Sequence, residues 1–285
     1  MRGGRLVGVD LTLRVPSAQV KSAILFAALR AEGTTTVREP LPSRDHTERL
    51  LAHLGARVVR SAGAIRLDGR QRLAGADVPL PGDVSSAAFL AVAALLVPGS
   101  ELRLLDVGVN PTRTGALAIL RRMGAPIEVV HTHDVAGEPR AELRVRNAPL
   151  HGTTVTPAEV PGAIDELPIL CVAAALAVGE TAIQGAGELR VKESDRIAAL
   201  EQLRRLGVAM ETTADGIVIR GSGGRRLAGG RVDSYGDHRI AMAFAVAGLV
   251  TDGGVEVEGA ECADVSFPGF FAELARLGAR VEDAG

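Results

Sequence analysis

Apolar residues in this chain fall into two recurring kinds of run. The first kind is apolar nearly all round: "VKSAILFAALRAEG", "SSAAFLAVAALLVPG", "ELPILCVAAALAVG" and "HRIAMAFAVAGLV". Such a pattern predicts helices buried on every side. The second kind keeps one apolar face at helical spacing and stops at a glycine: "HTERLLAHLGARVV", "GALAILRRMGAPIEVV", "RIAALEQLRRLGVAM" and "FFAELARLGARVED". Gly55, Gly124, Gly207 and Gly278 stand where a left-handed C-cap residue belongs. The order of apolar helix, glycine, β-branched strand, polar loop, amphipathic helix and further strand occurs four times. Its spacings of 69, 83 and 71 residues exceed those of common solenoids, so each repeat reads as a small α/β module of two helices and several strands.

The starts of the apolar helices are polar: "PSAQ", "GDVSS", "GAIDE" and "YGDHR". Ordinary N-capping accounts for Ser and Asp at such places and covers "GDVSS" well. It leaves Gln19, Asp165 with Glu166, and His238 with Arg239 unexplained. Buried helices whose N-termini converge would offer free N–H groups and positive dipole ends to a phosphate or carboxylate. A second concentration of charge lies at Arg190, Lys192, Glu193, Asp195 and Arg196, directly before an apolar-periodic run. Of 32 basic residues only Lys21 and Lys192 are lysines, which singles this place out. On a helix beginning near 193–195, Lys192 and Arg196 form an i, i+4 pair on one face. The arginine suits bidentate anion binding and the lysine a mobile point charge.

Composition narrows the function. With 285 residues and 47% hydrophobic content, the chain can bury a large core in one or two domains. A net charge of −2, six Phe, one Tyr and no Trp supply neither a basic footprint nor a base-stacking platform, so nucleic acid is not an expected partner. Cys171 and Cys262 lack the spacing of a zinc site or disulfide framework and fit a reducing cytoplasm. No apolar run reaches the roughly 20 residues needed to span a bilayer, and the start has no secretory pattern.

The segments "PSAQVKSA", "SRDHTERLL", "IDELPIL", "LRVKESDRI", "YGDHRIAMA" and "SFPGFF", in this order, resemble the later two thirds of the 5-enolpyruvylshikimate-3-phosphate (EPSP) synthases, the 3-phosphoshikimate 1-carboxyvinyltransferases. "RVKESDR" with "DHRIAMA" is the specific combination, and it suits this family better than the enolpyruvyl transferases acting on UDP-sugars. A related fold that processes RNA ends is disfavoured by the acidic balance and scarce aromatics. The resemblance implies the enolpyruvyl transferase fold, an inside-out α/β architecture of repeated βαβαββ units in two lobes. Four of the expected six units are present, giving residues 1–79 as a remnant of the first lobe and 80–285 as the second. Segments resembling "PGSKS", "NAGT" and Arg-Arg-Pro are absent from this sequence. The chain therefore reads as a piece, expected to be folded mainly in its last three units and inactive alone. The helix "SAILFAALRAEG" would expose an apolar patch, to be covered by self-association or by a separate first-lobe piece. An inactive remnant serving as a binding or regulatory protein is the alternative.

The reaction implied by the resemblance moves the enolpyruvyl group of phosphoenolpyruvate to the 5-hydroxyl of shikimate 3-phosphate and releases phosphate, in aromatic amino acid biosynthesis, with no cofactor and no metal. Carried over by resemblance, Lys192 touches shikimate 3-phosphate and Arg196 and Arg239 touch phosphoenolpyruvate. Glu193 carries the proton for the methylene carbon and Asp165 is the base facing the 5-hydroxyl. Ser17 and Gln19 hydrogen-bond shikimate 3-phosphate, Gln19 reaching towards both ligands. Glu166 reads as structural, Asp237 as a helix cap, His238 as a weaker proton-handling candidate, and Ser43 with Arg44 as approaching the substrate phosphate or forming a capped surface loop. Val265 stands where some members carry a lysine, which bears on phosphoenolpyruvate and inhibitor binding.

Overall fold

A computed structural model describes residues 4–61 and 63–283. The outermost ends of the two expected lobes, residues 1–3 and 284–285, lie outside the described residues. The chain divides into two compact units. One comprises residues 1–81, 108–113 and 132–140, and the other residues 82–107, 114–131 and 141–285.

In the first unit β1 (Asp10–Thr12), α1 (Ala18–Ala28), β2 (Thr34–Arg38), α2 (His46–His53), β3 (Val58–Ser61) and β4 (Ala64–Asp68) build one sheet in the order β1-β2-β4-β3. The β1–β2 pair is parallel, as a strand-helix-strand crossover requires, and β4 runs antiparallel to both β2 and β3. Leu25 and Ala28 of α1 pack with Val37, Leu51, Ile65 and Leu67 in a small core. Of the two expectations for this helix, burial on every side and an exposed apolar patch, the structure shows the second. Helix α1 is not buried on every side: of its eleven residues only Lys21, Leu25 and Ala28 are buried, while Val20 and Phe26 are about half exposed. It packs on the single sheet of its own unit, and that sheet covers one face.

The second unit continues with α3 (Val84–Leu96), β5 (Glu101–Gly108), α4 (Gly115–Arg122), β6 (Ile127–Val135), β7 (Glu138–Arg146), β8 (Thr154–Val155), α5 (Val160–Ala163), α6 (Leu167–Leu176) and β9 (Glu180–Ile183). It ends with α7 (Arg196–Leu200), β10 (Ala209–Thr212), β11 (Ile217–Arg220), β12 (Gly230–Asp233), α8 (His238–Gly248), β13 (Val255–Glu258) and α9 (Phe270–Arg276). Short 3-10 helices precede and follow α7 at Gly187–Val191 and Glu201–Leu206. The strands order as β5-β7-β6, β10-β11-β9-β8 and β12-β13, and the tip of the β6–β7 hairpin, 132–140, counts with the first unit. The apolar helices α3, α6 and α8 pack on one another. All ten residues of α6 are buried, as the all-round apolar pattern predicts.

The repeat is visible in the backbone. In each unit the segment before the apolar helix pairs in parallel with the strand after it: β1 with β2, Gly82 with Val107, β8 with β9, and β12 with β13. Gly55, Gly124, Gly207 and Gly278 all take positive φ, between 83° and 102°, closing the amphipathic helices as expected.

Candidate functional site

In the second unit a buried guanidinium organises the polar groups. Helix α7 begins at Arg196 because Asp195 caps it, accepting a hydrogen bond from the Ala198 N–H at 3.0 Å. The apolar residues of that helix carry Arg196 inward with them, and its side chain is fully buried. Arg196 Nε donates to Asp237 Oδ2 at 2.8 Å, and Nη2 to Glu193 Oε2 at 2.5 Å and Asp237 Oδ1 at 3.3 Å. Nη1 makes no hydrogen bond within the protein; Asp165 Oδ1 stands 3.7 Å from it. Asp165 also faces Arg239, whose Nη2 is 3.8 Å from Oδ2 and whose Nη1 donates to the Asp165 carbonyl at 3.1 Å. Asp165, Glu193, Arg196 and Arg239 are thus brought together, from the segment before α6, the segment before α7, the start of α7 and the first turn of α8.

Asp165 is not the cap of α6. That position is Glu166, buried and hydrogen-bonded by Ser85 of α3, while the Asp165 carboxylate faces the two arginines. Asp237 is fully buried and caps α8, accepting from Arg239 N at 2.9 Å, while also accepting from Ser194 Oγ at 3.0 Å and from Arg196. Burial pushes its carboxyl up, but the hydrogen bonds and charge of Arg196 outweigh this and hold it below the usual carboxylate range. Beside it His238 is lowered by burial and by the Arg239 charge, which leaves its imidazole neutral at pH 7. Sequence reasoning saw Asp237 only as a cap and passed over Ser194.

Lys192 is placed differently from the expectation. It ends the 3-10 turn Gly187–Val191 and precedes the helix that Arg196 opens, so the two do not form an i, i+4 face. The Asp195 cap delays helix entry past the charged stretch. Lys192 Nζ sits 2.8 Å from Glu188 Oε1, with its side chain partly exposed. Arg190 bonds Asp195 and the carbonyls of Thr213 and Ala214, a structural tie. The other lysine, Lys21, is buried in the first unit between Glu39 and Glu48, each at 2.9 Å.

Also in the first unit, Ser17 caps α1, accepting from Val20 N at 3.3 Å. Gln19 is exposed on the first turn, on the rim of an open cavity of about 400 Å³ lined further by Ser22, Phe26, Arg44, His46 and Thr47. Among the described residues no group of three or more His, Cys, Asp or Glu side chains could hold a metal ion, and no helix is long and apolar enough to cross a membrane.

The sequence and the fold of the chain have counterparts among known proteins. Residues 1–274 match the family model described as EPSP synthase (3-phosphoshikimate 1-carboxyvinyltransferase). The 3-phosphoshikimate 1-carboxyvinyltransferase of Halorhodospira halophila is 56% identical over 99% of this chain and 64% of its own length, and that of Geobacter sulfurreducens is 51% identical over 98% and 65%. The EPSP synthase structure from Acinetobacter baumannii superposes with a TM-score of 0.91 at 44% identity, covering 98% of this chain and 64% of that one. The chain spans 64–65% of the length of these relatives. On this evidence the chain belongs to the EPSP synthase (3-phosphoshikimate 1-carboxyvinyltransferase) family.

Proposed function

We infer that this chain carries the larger part of a 3-phosphoshikimate 1-carboxyvinyltransferase and transfers the enolpyruvyl group of phosphoenolpyruvate to the 5-hydroxyl of shikimate 3-phosphate. The observation that carries the reading is Arg196 Nη1, a buried guanidinium nitrogen with no hydrogen-bond acceptor in the protein, next to Arg239. A buried donor of this kind costs free energy until an anion fills it, and the carboxylate and phosphate of phosphoenolpyruvate are such anions. In this reading Asp165 takes the proton of the 5-hydroxyl as its oxygen attacks C2 of phosphoenolpyruvate. Glu193 delivers a proton to C3, giving a tetrahedral intermediate. Loss of a proton from C3 and departure of phosphate restore the double bond. Arg196 and Arg239 hold phosphoenolpyruvate, Lys192 the shikimate phosphate, and Ser17 and Gln19 hydrogen-bond shikimate 3-phosphate from the first unit. The cytoplasm is the compartment where both substrates would be met.

The test is shikimate 3-phosphate-dependent phosphate release from phosphoenolpyruvate, measured for the chain alone and supplemented with the first third of the Halorhodospira halophila relative. Release in the supplemented mixture that is lost in Arg239→Ala supports the reading, and no dependent release in either mixture overturns it. A second reading is a binding or regulatory protein that takes shikimate 3-phosphate without turnover. Calorimetric binding of shikimate 3-phosphate without phosphate release would be its signature.

A further inference from the structure

The cavity of the first unit is rimmed by Arg44 and His46, and the residue between them does not line it. Asp45 is 6% exposed and stands at the N-cap position of α2, yet its carboxylate caps nothing. Oδ1 accepts from Arg49 Nε at 2.8 Å, Asn110 Nδ2 at 2.7 Å and Thr112 Oγ1 at 3.4 Å, while Oδ2 accepts from Arg60 Nη1 at 2.7 Å. The backbone is fixed as well. The Asp45 carbonyl accepts from Arg49 N at 3.1 Å and Arg60 Nη2 at 3.3 Å, and its N–H donates to Thr112 Oγ1 at 3.4 Å. Burial pulls this carboxyl up, but the Arg49, Asn110 and Arg60 hydrogen bonds prevail and hold it far below the usual carboxylate range.

The donors come from α2, β3 and the segment 108–113, and Asn110 Nδ2 donates as well to Glu138 Oε2 at 3.0 Å, which ties in the segment 132–140. Glu138 Oε1 in turn lies 2.7 Å from His46 Nδ1, and Arg49 Nη1 donates to the Gly137 carbonyl at 2.9 Å. An aspartate wanted only as a helix cap needs none of this. With both its backbone and its carboxylate bonded, Asp45 anchors the chain between Arg44 and His46, which line the same cavity.

We propose that Asp45 is a positioning residue for the phosphorylated ring substrate. Locked by Arg49, Arg60 and Asn110, it presets Arg44 on the cavity rim, so that binding costs little ordering of that loop. The inference rests on the reading that this cavity takes shikimate 3-phosphate. It adds that segments 108–113 and 132–140, remote from the cavity in sequence, tune that affinity.

Calorimetric titration of shikimate 3-phosphate into the chain, Asp45→Asn, Arg44→Gln and the double variant decides it, with thermal unfolding recorded for each. Each single variant is expected to bind about tenfold more weakly, with the double variant no weaker than Arg44→Gln alone, because Asp45 acts through Arg44. Should Asp45→Asn not fold, Asn110→Ala takes its place, with a several-fold loss that vanishes in the Arg44→Gln background. Wild-type affinity in the folded Asp45 or Asn110 variant, or losses that simply multiply in the double variant, overturn the inference while leaving the functional reading standing. A wild-type chain that binds no shikimate 3-phosphate overturns both.

Discussion

Arg196 and Asp237, 41 residues apart in sequence, form an ion pair at 2.8 Å from which solvent is wholly excluded. Burying two charges is expensive, and their attraction offsets that cost only while both are present. Asp237→Ala is therefore expected to destabilise the second unit by about 3–5 kcal/mol, read as a lower denaturant midpoint. The double variant Arg196→Met/Asp237→Leu, which removes both charges, should recover much of that stability and yet bind no phosphoenolpyruvate. If the double variant binds phosphoenolpyruvate as the wild type does, Arg196 is a structural residue only.

Asp165 and Glu193 lie against the same guanidinium but differ in exposure, Asp165 being largely covered and the Glu193 side chain half exposed. Given the proton-handling roles proposed for them, Asp165→Asn and Glu193→Gln should each lower turnover roughly 10²-fold in the complemented enzyme. Substrate affinities should change little. Near-normal turnover in Asp165→Asn would reduce that residue to an ion-pair partner of Arg239.

The pH dependence of stability has a definite sign at His238. Its ordinary value is 6.5, and burial lowers it in the folded chain. Between the lowered value and 6.5 the unfolded chain binds more protons than the folded one, so stability rises with pH across that window and is lost as pH falls through it. Asp237, also lowered, adds a second loss at more acid pH, below its ordinary 3.8. Melting temperatures recorded from pH 8 to pH 5 should fall for the wild type and stay flatter over that range for His238→Gln.

Two thiols sit in contrasting places. Cys171 is fully buried in α6 and burial pushes it up to about 12, which leaves it almost entirely protonated at neutral pH and out of reach of reagents. Cys262 is partly exposed. Under native conditions iodoacetamide should label Cys262 slowly and Cys171 only after denaturation, with mass spectrometry of the peptides as the readout.

Much of the fold was legible because its signals are local. Apolar runs, amphipathic spacing and the glycines at 55, 124, 207 and 278 act within a turn or two of the residues they concern, and the structure repeats them, except that α1 is buried on one face only. The cluster of Asp165, Glu193, Arg196 and Arg239 was reachable through motifs. What it lacked was the pairing that orders it: nothing near Asp237 in sequence announces that a cap of α8 also holds the guanidinium of α7. Asp45 is the same case, an aspartate before a helix whose carboxylate is taken by partners as distant as Asn110. The supposed helix face of Lys192 and Arg196 failed for the opposite reason, since a local cap at Asp195 moved the helix start beyond Lys192.

The close approach of backbone to backbone at four glycines is a further non-local feature that no sequence pattern announces. Gly8 and Gly152 precede equivalent strands, and a Cβ at either would lie 2.3 Å from the Thr34 carbonyl oxygen or 2.1 Å from that of Glu180. Gly69 and Gly221 follow the equivalent fourth strands β4 and β11, and a Cβ there would lie 1.9 Å from the Ala31 carbonyl oxygen or 2.1 Å from that of Ala177, where the apolar helix ends. The obstacle in every case is backbone, which cannot rotate away as a side chain can. Each site also carries the repeat's hydrogen bonding: Gly69 N donates to Gly33 O and Gly221 N to Gly179 O, both at 2.9 Å. Gly221→Ala and Gly152→Ala must therefore prise strand from helix or strand from strand, and each is expected to destabilise the second unit by about 1–3 kcal/mol or more. Gly75→Ala, where a Cβ meets nothing within 4 Å, is the control and should leave the unfolding midpoint within about 0.5 kcal/mol of wild type. Equal midpoints for Gly221→Ala and Gly75→Ala would mean that the close approach of strand and helix is not a constraint the repeat depends on.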